Sequence, residues 1–331
     1  MVNVDEYLDS YGNKTLASIV DCICGWLCSF ILYGDGIMDS AYFDGETGMV
    51  VTPANSDHEQ QLEQQIDRWV TPMHWRPDYA AWREKRIWQE RYQAERIATI
   101  EQFGGTIPER RILEISCGMG GTLVALAHAG ADVVATEFNR EYCAIAQRRG
   151  ERYDMHLPIF NAVGEAIPFA DSTFDLVICW DIVEHVQNPA HMVRELRRVV
   201  RPDGRVLLTI INRWAWRDPH YHIRGLNWLP RSWAERLVAQ RAQTKHSMGL
   251  QDRQKLSDMH YFTMAQFREL AHSLGFNVAD MEAVAIQRGK KRRSGGLKGR
   301  LRDLAYRLRL GLPAYYCYRD CIKGTFELVL W

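Results

Sequence analysis

The sequence predicts an α/β fold in which a seven-stranded, mostly parallel sheet is flanked by helices, with an N-terminal helical extension and a lid insertion after the fifth strand. Three observations carry the prediction. Short apolar runs alternate with helical periodicity from residue 111 onward. The first run opens into a turn of small residues, Ser116-Cys117-Gly118-Met119-Gly120-Gly121. The second ends on an acidic residue, Glu137.

Taken in order, residues 1–71 form an extension without a recognisable motif, and 34–59 are rich in Gly, Asp and Ser, as turns and loops are. Within it, residues 16–33 are apolar but interrupted by Asp21. The stretch lacks a basic leader with a small-residue cleavage site, and an aspartate in so short a span disfavours a membrane crossing. A buried or dimer-forming helix is the preferred reading. Residues 72–109 are a helical lead-in, with Trp82, Ile87, Trp88, Tyr92, Ile97 and Ile100 at helical spacing predicting one amphipathic helix over 77–103.

The core, 110–212, divides into strands at 111–115, 132–137, 157–161, 174–180 and 205–211, and helices at 121–129, 141–149 and 190–200, the last closed by a Pro202-Asp203-Gly204 turn. Residues 213–260 are longer than a simple connection and read as a substrate-binding insertion or lid. Residues 261–331 return to the core through a helix at 264–274, a strand near 277–285 and a last strand near 325–330. Lys plus Arg (41) balances Asp plus Glu (41), so no global field draws the chain to nucleic acid or an anionic membrane. The eight cysteines lack paired metal spacing and read as reduced thiols of a cytoplasmic protein.

The glycine turn places backbone N–H groups where a nucleotide-type ligand would lie, or serves only the steric needs of a helix that starts after a strand. A carboxylate at the position of Glu137 accepts hydrogen bonds from ribose hydroxyls, or is simply a solvated strand end. Together the two favour a pocket at the carboxyl ends of the strands. The segments Leu113 to Gly120, Glu137-Phe138-Asn139, Gly164-Glu165-Ala166-Ile167-Pro168-Phe169, Phe174-Asp175-Leu176-Val177, Glu184-His185-Val186 and Leu196 to Gly204 resemble the Rossmann-like class I S-adenosylmethionine methyltransferases. The nearest are the ubiquinone-biosynthesis-type O-methyltransferases and similar enzymes acting on sugars, lipids and secondary metabolites. The resemblance implies S-adenosyl-L-methionine as cofactor. Glu114, Ser116, Cys117, Gly118 and Gly120 would hold its methionine portion, Glu137 its ribose and Phe138 its adenine. Gly164 and Glu165 would face the adenine edge, and Cys179 or Trp180 would accept from the amino group. Two departures stand out: Ser116 replaces a commoner glycine, and Val163 stands where many relatives carry an aspartate.

Methyl transfer from a sulfonium requires alignment and, for a hydroxyl acceptor, a base. Asp181, Glu184 and His185 follow the fourth strand, and His185 is the candidate base. The same three with His260 resemble the ligand set of magnesium-dependent relatives, so Mg2+ is a second expected cofactor. The alternative is that Glu184 and His185 cap a helix, as in metal-free relatives. The insertion carries Trp214, Trp216, His220, Tyr221, His222, Trp228 and Trp233 with several Arg, which suits sugar faces, aromatic rings or anionic headgroups, or packs as a helical cap. The basic run 288–310 suits an anionic membrane surface, or is a solvated loop and surface helix. The expected reaction is O-methylation of a small-molecule, saccharide or lipid-linked acceptor, with a homodimer formed through the N-terminal extension. An RNA methyltransferase and a catalytically silent scaffold are the rivals.

Overall fold

A computed structural model describes residues 56–244, 254–289 and 311–331. The apolar stretch 16–33 and nearly all of the basic run 288–310 lie outside them. The ten helices among the described residues are α1 (Ser56–Val70), α2 (Tyr79–Ile87), α3 (Ala94–Gly104), α4 (Gly121–His128), α5 (Arg140–Glu151), α6 (Pro189–Val199), α7 (Arg231–Thr244), α8 (Met264–Ser273), α9 (Met281–Gln287) and α10 (Gly311–Cys321). The strands are β1 (Arg111–Ile115), β2 (Asp132–Glu137), β3 (Ile159–Asn161), β4 (Phe174–Cys179), β5 (Val200–Ile211), β6 (Val278–Asp280) and β7 (Thr325–Leu330). They form one sheet in the order β3-β2-β1-β4-β5-β7-β6, with β6 and β7 antiparallel. No helix among the described residues is long and apolar enough to cross a membrane. Cys117, Cys143 and Cys179 form no disulfide among the described residues.

The described residues divide into two compact units, one from 56–209 with the described part of 235–260, the other from 210–234 with the described part of 261–330. Residues 213–234 belong to the second unit and the described part of 235–260 to the first. In the first unit β1 pairs in parallel with β2 and β4. Leu176, Val177, Ile178 and Cys179 are all buried, as expected of a strand covered on both faces. Helix α6 turns Met192, Val193, Leu196 and Val199 to the core, with Asn188 accepting from the His191 amide as its cap and Pro189 at the first position.

Four expectations change. The predicted helix over 77–103 breaks into α2, a short 3-10 turn at Gln89–Tyr92 and α3. At the break, Arg149 of α5 donates to the carbonyls of Arg86 and Ile87 at 2.8 Å, and Arg152 to Ile87 at 3.0 Å, so these chain-end acceptors need no further helical turn. The expected strand over 277–285 is three residues long, because the Asp280 side chain accepts from the Ala283 amide and starts α9. The Pro202-Asp203-Gly204 turn lies inside β5 as an interruption of the ladder: Phe174 pairs Val200 and Leu176 pairs Arg205. Finally, helix α1 starts inside the presumed loop 34–59. Its Leu62, Ile66 and Val70 pack with Trp82, Ile87, Met119 and Ile145.

In the second unit α9 and α10 accompany β6 and β7 around a buried polar cluster. Tyr315 donates to Asp280, Arg319 lies 3.7 Å from the same carboxylate, and Lys323 donates to Glu282 at 2.8 Å.

Candidate active site at the carboxyl ends of the strands

β1 leads into a tightly held turn. Ser116, Gly118 and Gly120 all take left-handed backbone conformations, with φ of 55°, 55° and 80°. Gly120 has a second reason to lack a side chain, since a Cβ there would come within 2.8 Å of the Ala146 Cβ. At Gly118 a Cβ would meet nothing within 4 Å, so the turn faces open space there. Ser116 adopts the backbone that a glycine would take more easily, which explains the usual residue and shows that serine is accommodated.

Glu137 at the end of β2 joins both loops. One carboxylate oxygen accepts from the Gly118 amide at 2.9 Å and the other from the Asn139 amide at 2.8 Å. Each oxygen keeps a further lone pair. Asn161 of β3 ties the next stretch down by donating to the Glu137 and Phe138 carbonyls. Phe138 is left 70% exposed and Val163 39% exposed, apolar surfaces at a strand edge. Glu165 is otherwise engaged: its Oε1 accepts from the Gln187 and Asn188 amides. The Gly164–Phe169 stretch is pinned from α6, where Arg198 donates to the Ile167 and Phe169 carbonyls and Glu195 accepts from the Ile167 amide. Gly164 itself is packed against Met192.

Glu114 on β1 is the most unusual group. It is buried, and its Oε2 has no hydrogen-bond partner. Burial pushes its carboxyl up to about 8, with Arg96 and Thr122 pulling the other way. A buried carboxylate oxygen without a donor beside an open glycine turn fits a ligand that brings a cation. Cys117 and Cys179 are buried, and burial pushes both thiols well above their usual range, so neither is a thiolate nucleophile.

After β4 the chain turns through Asp181, another non-glycine residue in the left-handed region (φ 55°). The Thr209 hydroxyl accepts from the Asp181 amide and donates to its Oδ1 at 2.8 Å. Glu184 is buried, and its Oε1 lies 3.7 Å from His185 Nε2. Gln254 donates through its amide nitrogen to the His185 and Asp258 carbonyls, which leaves its oxygen as acceptor for His185 Nδ1 at 2.9 Å. Nδ1 is thus the protonated nitrogen of the neutral ring and Nε2 the basic one. His260 joins Glu184 through its backbone, donating its amide to the Glu184 carbonyl.

The expected magnesium set is not assembled. Asp181 and His260 do not complete a group of three ligand atoms with Glu184 and His185 within 4.8 Å among the described residues. Asp181 is engaged with Thr209, and its other oxygen lies 4.0 Å from Arg96. Arg96 is the residue that the sequence did not single out. From α3 it reaches Asp181, stands 5.9 Å over the Trp180 ring and draws down the Glu114 carboxyl. One arginine among the many charges of 77–103 carries no signal of that position. Trp180 keeps a buried indole N–H without a partner.

Residues 113–208 match the methyltransferase-domain family. The chain is similar to the ubiquinone biosynthesis O-methyltransferase of Photobacterium profundum, 29% identical over 36% of this chain and 52% of that one. It is likewise similar to that of Pseudomonas aeruginosa strain UCBPP-PA14, 31% identical over 36% of this chain and 51% of that one. The chain spans about half the length of these curated relatives. Among solved structures, magnesium protoporphyrin IX methyltransferase from Synechocystis PCC 6803 with bound SAH aligns with a TM-score of 0.45 at 14% identity, over 83% of this chain and 99% of that one.

Proposed function

We propose, from the match of residues 113–208 to the methyltransferase-domain family, a class I S-adenosylmethionine methyltransferase that transfers a methyl group to a hydroxyl oxygen of a small-molecule, saccharide or lipid-linked acceptor. The observation that carries the reading is the buried Glu114 carboxylate, whose orphaned oxygen awaits a cation beside the open Gly118 turn. The methionine ammonium of S-adenosylmethionine answers that need. Glu137 would accept from the ribose hydroxyls with the lone pairs its two amide donors leave unused. Phe138 and Val163 would offer apolar surface to the adenine in place of an aspartate. The O-directed activity in the names of the curated relatives supports the choice of atom.

The bound cofactor supplies a methyl already activated on a sulfonium, so the protein's own work is alignment and removal of one proton. His185 is built for the second task. Gln254 fixes its tautomer, Nε2 receives the acceptor's hydroxyl proton, and Glu184 stabilises the imidazolium that results. The test is transfer of labelled methyl from S-adenosylmethionine into hydroxyl-bearing acceptors, with the product identified as an ether or ester. His185→Gln is expected to lower kcat by about 100-fold or more and to leave S-adenosylhomocysteine affinity unchanged. Transfer at full rate in that variant, or product methylated on carbon or nitrogen, would contradict the assignment.

A further inference from the structure

The second unit contains a cationic, aromatic cluster that the cofactor site does not use. Arg213 stands two residues beyond the end of β5, and its guanidinium lies 4.9 Å over the Trp214 ring while Nη1 donates to the Asn227 carbonyl. Arg231, the first residue of α7, lies 4.6 Å over Tyr261, and its buried Nη1 has no hydrogen-bond partner. The Asp218 carboxylate of the same stretch is engaged elsewhere. Asp218 accepts from the His220 and Tyr221 amides, from the Asn227 side chain at 3.1 Å and from the Tyr261 hydroxyl at 3.0 Å. Four donors occupy its oxygens, so it holds the loop in shape, and it forms no ion pair with either arginine. Neither arginine has a carboxylate within ion-pair distance among the described residues. Burial and the like charge of Arg231 pull the Arg213 guanidinium below its ordinary range, as expected where no anion compensates the two.

Beside them the indoles of Trp214 and Trp228 stay 45% and 42% exposed. They are held in place, since the Trp228 N–H donates to the Trp214 carbonyl at 2.9 Å and Trp216 packs edge-on against Trp228 at 4.9 Å. Fixed, exposed indole faces next to uncompensated guanidinium edges suit a ligand that combines a ring with an oxyanion. Ligands of open α/β sheets bind at the carboxyl ends of strands, where Arg213 lies.

We propose that Arg213 and Arg231 recognise a phosphate ester carried on a sugar ring, a monoester when free or a diester when lipid-linked, with the ring resting on Trp214 and Trp228. Its use as the acceptor site rests on the methyl-transfer reading; the binding itself does not. The test is calorimetric titration of the full chain with glucose 6-phosphate, glucose and inorganic phosphate. Flotation with phosphatidylcholine vesicles, with and without a polyprenyl sugar phosphate, runs in parallel. The phosphorylated sugar, free or on the vesicle, is expected to bind at least about tenfold more tightly than glucose, and more weakly as salt rises. Arg231→Gln should lose at least about tenfold, and Arg213→Lys, which keeps charge but not the fork, should lose less than Arg213→Gln. S-adenosylhomocysteine affinity should not change in any of them. Binding of the soluble ligand assigns a free sugar phosphate, and binding only on vesicles assigns a lipid-linked one; either supports the site. Equal binding of glucose and glucose 6-phosphate, or no binding of any phosphorylated probe by a chain that binds S-adenosylhomocysteine, overturns it. Sugar-phosphate binding without S-adenosylhomocysteine binding would instead overturn the methyl-transfer reading alone.

Discussion

Cofactor binding should expel a proton from Glu114, and the amount follows from its surroundings. In the free protein burial pushes this carboxyl up to about 8, so at neutral pH it is ~90% protonated. A ligand ammonium placed against the orphaned Oε2 favours the charged form and returns the group to the ordinary carboxylate range or below. Binding at neutral pH then releases ~0.9 proton. The sign in the free protein runs the other way: a raised folded value means that Glu114 contributes stability fully below its unfolded value and loses it as pH rises through about 8. Calorimetry with S-adenosylhomocysteine in buffers of different ionisation enthalpy reads the proton directly, as the slope of observed against buffer enthalpy. Affinity should rise about tenfold per pH unit through the mildly acidic range and flatten above about 8. Glu114→Gln should remove both dependences. Tight binding by the natural chain with zero slope would rule this proton release out, because the carboxyl would then have been charged beforehand or remained protonated in the complex.

Three further outcomes follow from packing. Glu90→Gln leaves Arg149 and Arg152, both fully buried, without the carboxylate that they and Tyr153 share; about 3–5 kcal/mol should be lost in urea denaturation, and a loss under about 1 kcal/mol would contradict the role. Burial alone would raise the Glu90 carboxyl, but the two guanidiniums and Tyr153 hold it below the ordinary range, so its contribution is present above the unfolded value and is lost as pH falls through the lower folded one. Gly118→Ala and Gly120→Ala separate binding from stability. The second meets Ala146 at 2.8 Å with φ at 80° and should cost roughly 2 kcal/mol or more. The first enters open space, should cost roughly 1 kcal/mol for its φ of 55°, and should weaken S-adenosylhomocysteine binding at least about tenfold; equal stability costs with full binding in both would count against the placement.

The parts of the fold that depend on local pattern were legible. The bounds expected for β1 and β2 are those observed, because buried parallel strands write continuous apolar runs and the acid and glycine turns punctuate them. What was lost depends on distant partners. Nothing near Ile87 announces that Arg149 and Arg152 will take its carbonyl from 62 and 65 residues away and end α2. Asp280 reads as one more residue of a strand until its capping of α9 and its bond to Tyr315 are seen. In the candidate site, Glu137 and the glycine turn were singled out because an acid at a strand end and a turn of small residues mark themselves in the sequence, and Glu114 only through the family resemblance. Arg96 was not, since its role comes from where α3 lies. The magnesium set shows the converse: residues of suitable type and spacing were present, but Thr209 and Arg96 engage Asp181, and His260 meets Glu184 through its backbone.

Glu137 ties the turn after β1 to the loop after β2, and the nucleoside-binding unit proposed for the two depends on it. Titration of the natural chain and of Glu137→Ala with S-adenosylhomocysteine, each checked for folding by denaturation, tests it most directly. Saturable binding by the natural chain is expected, with affinity lost by at least about 100-fold in a variant that still folds. Undiminished affinity in Glu137→Ala, or no binding by a well-folded natural chain, would contradict it.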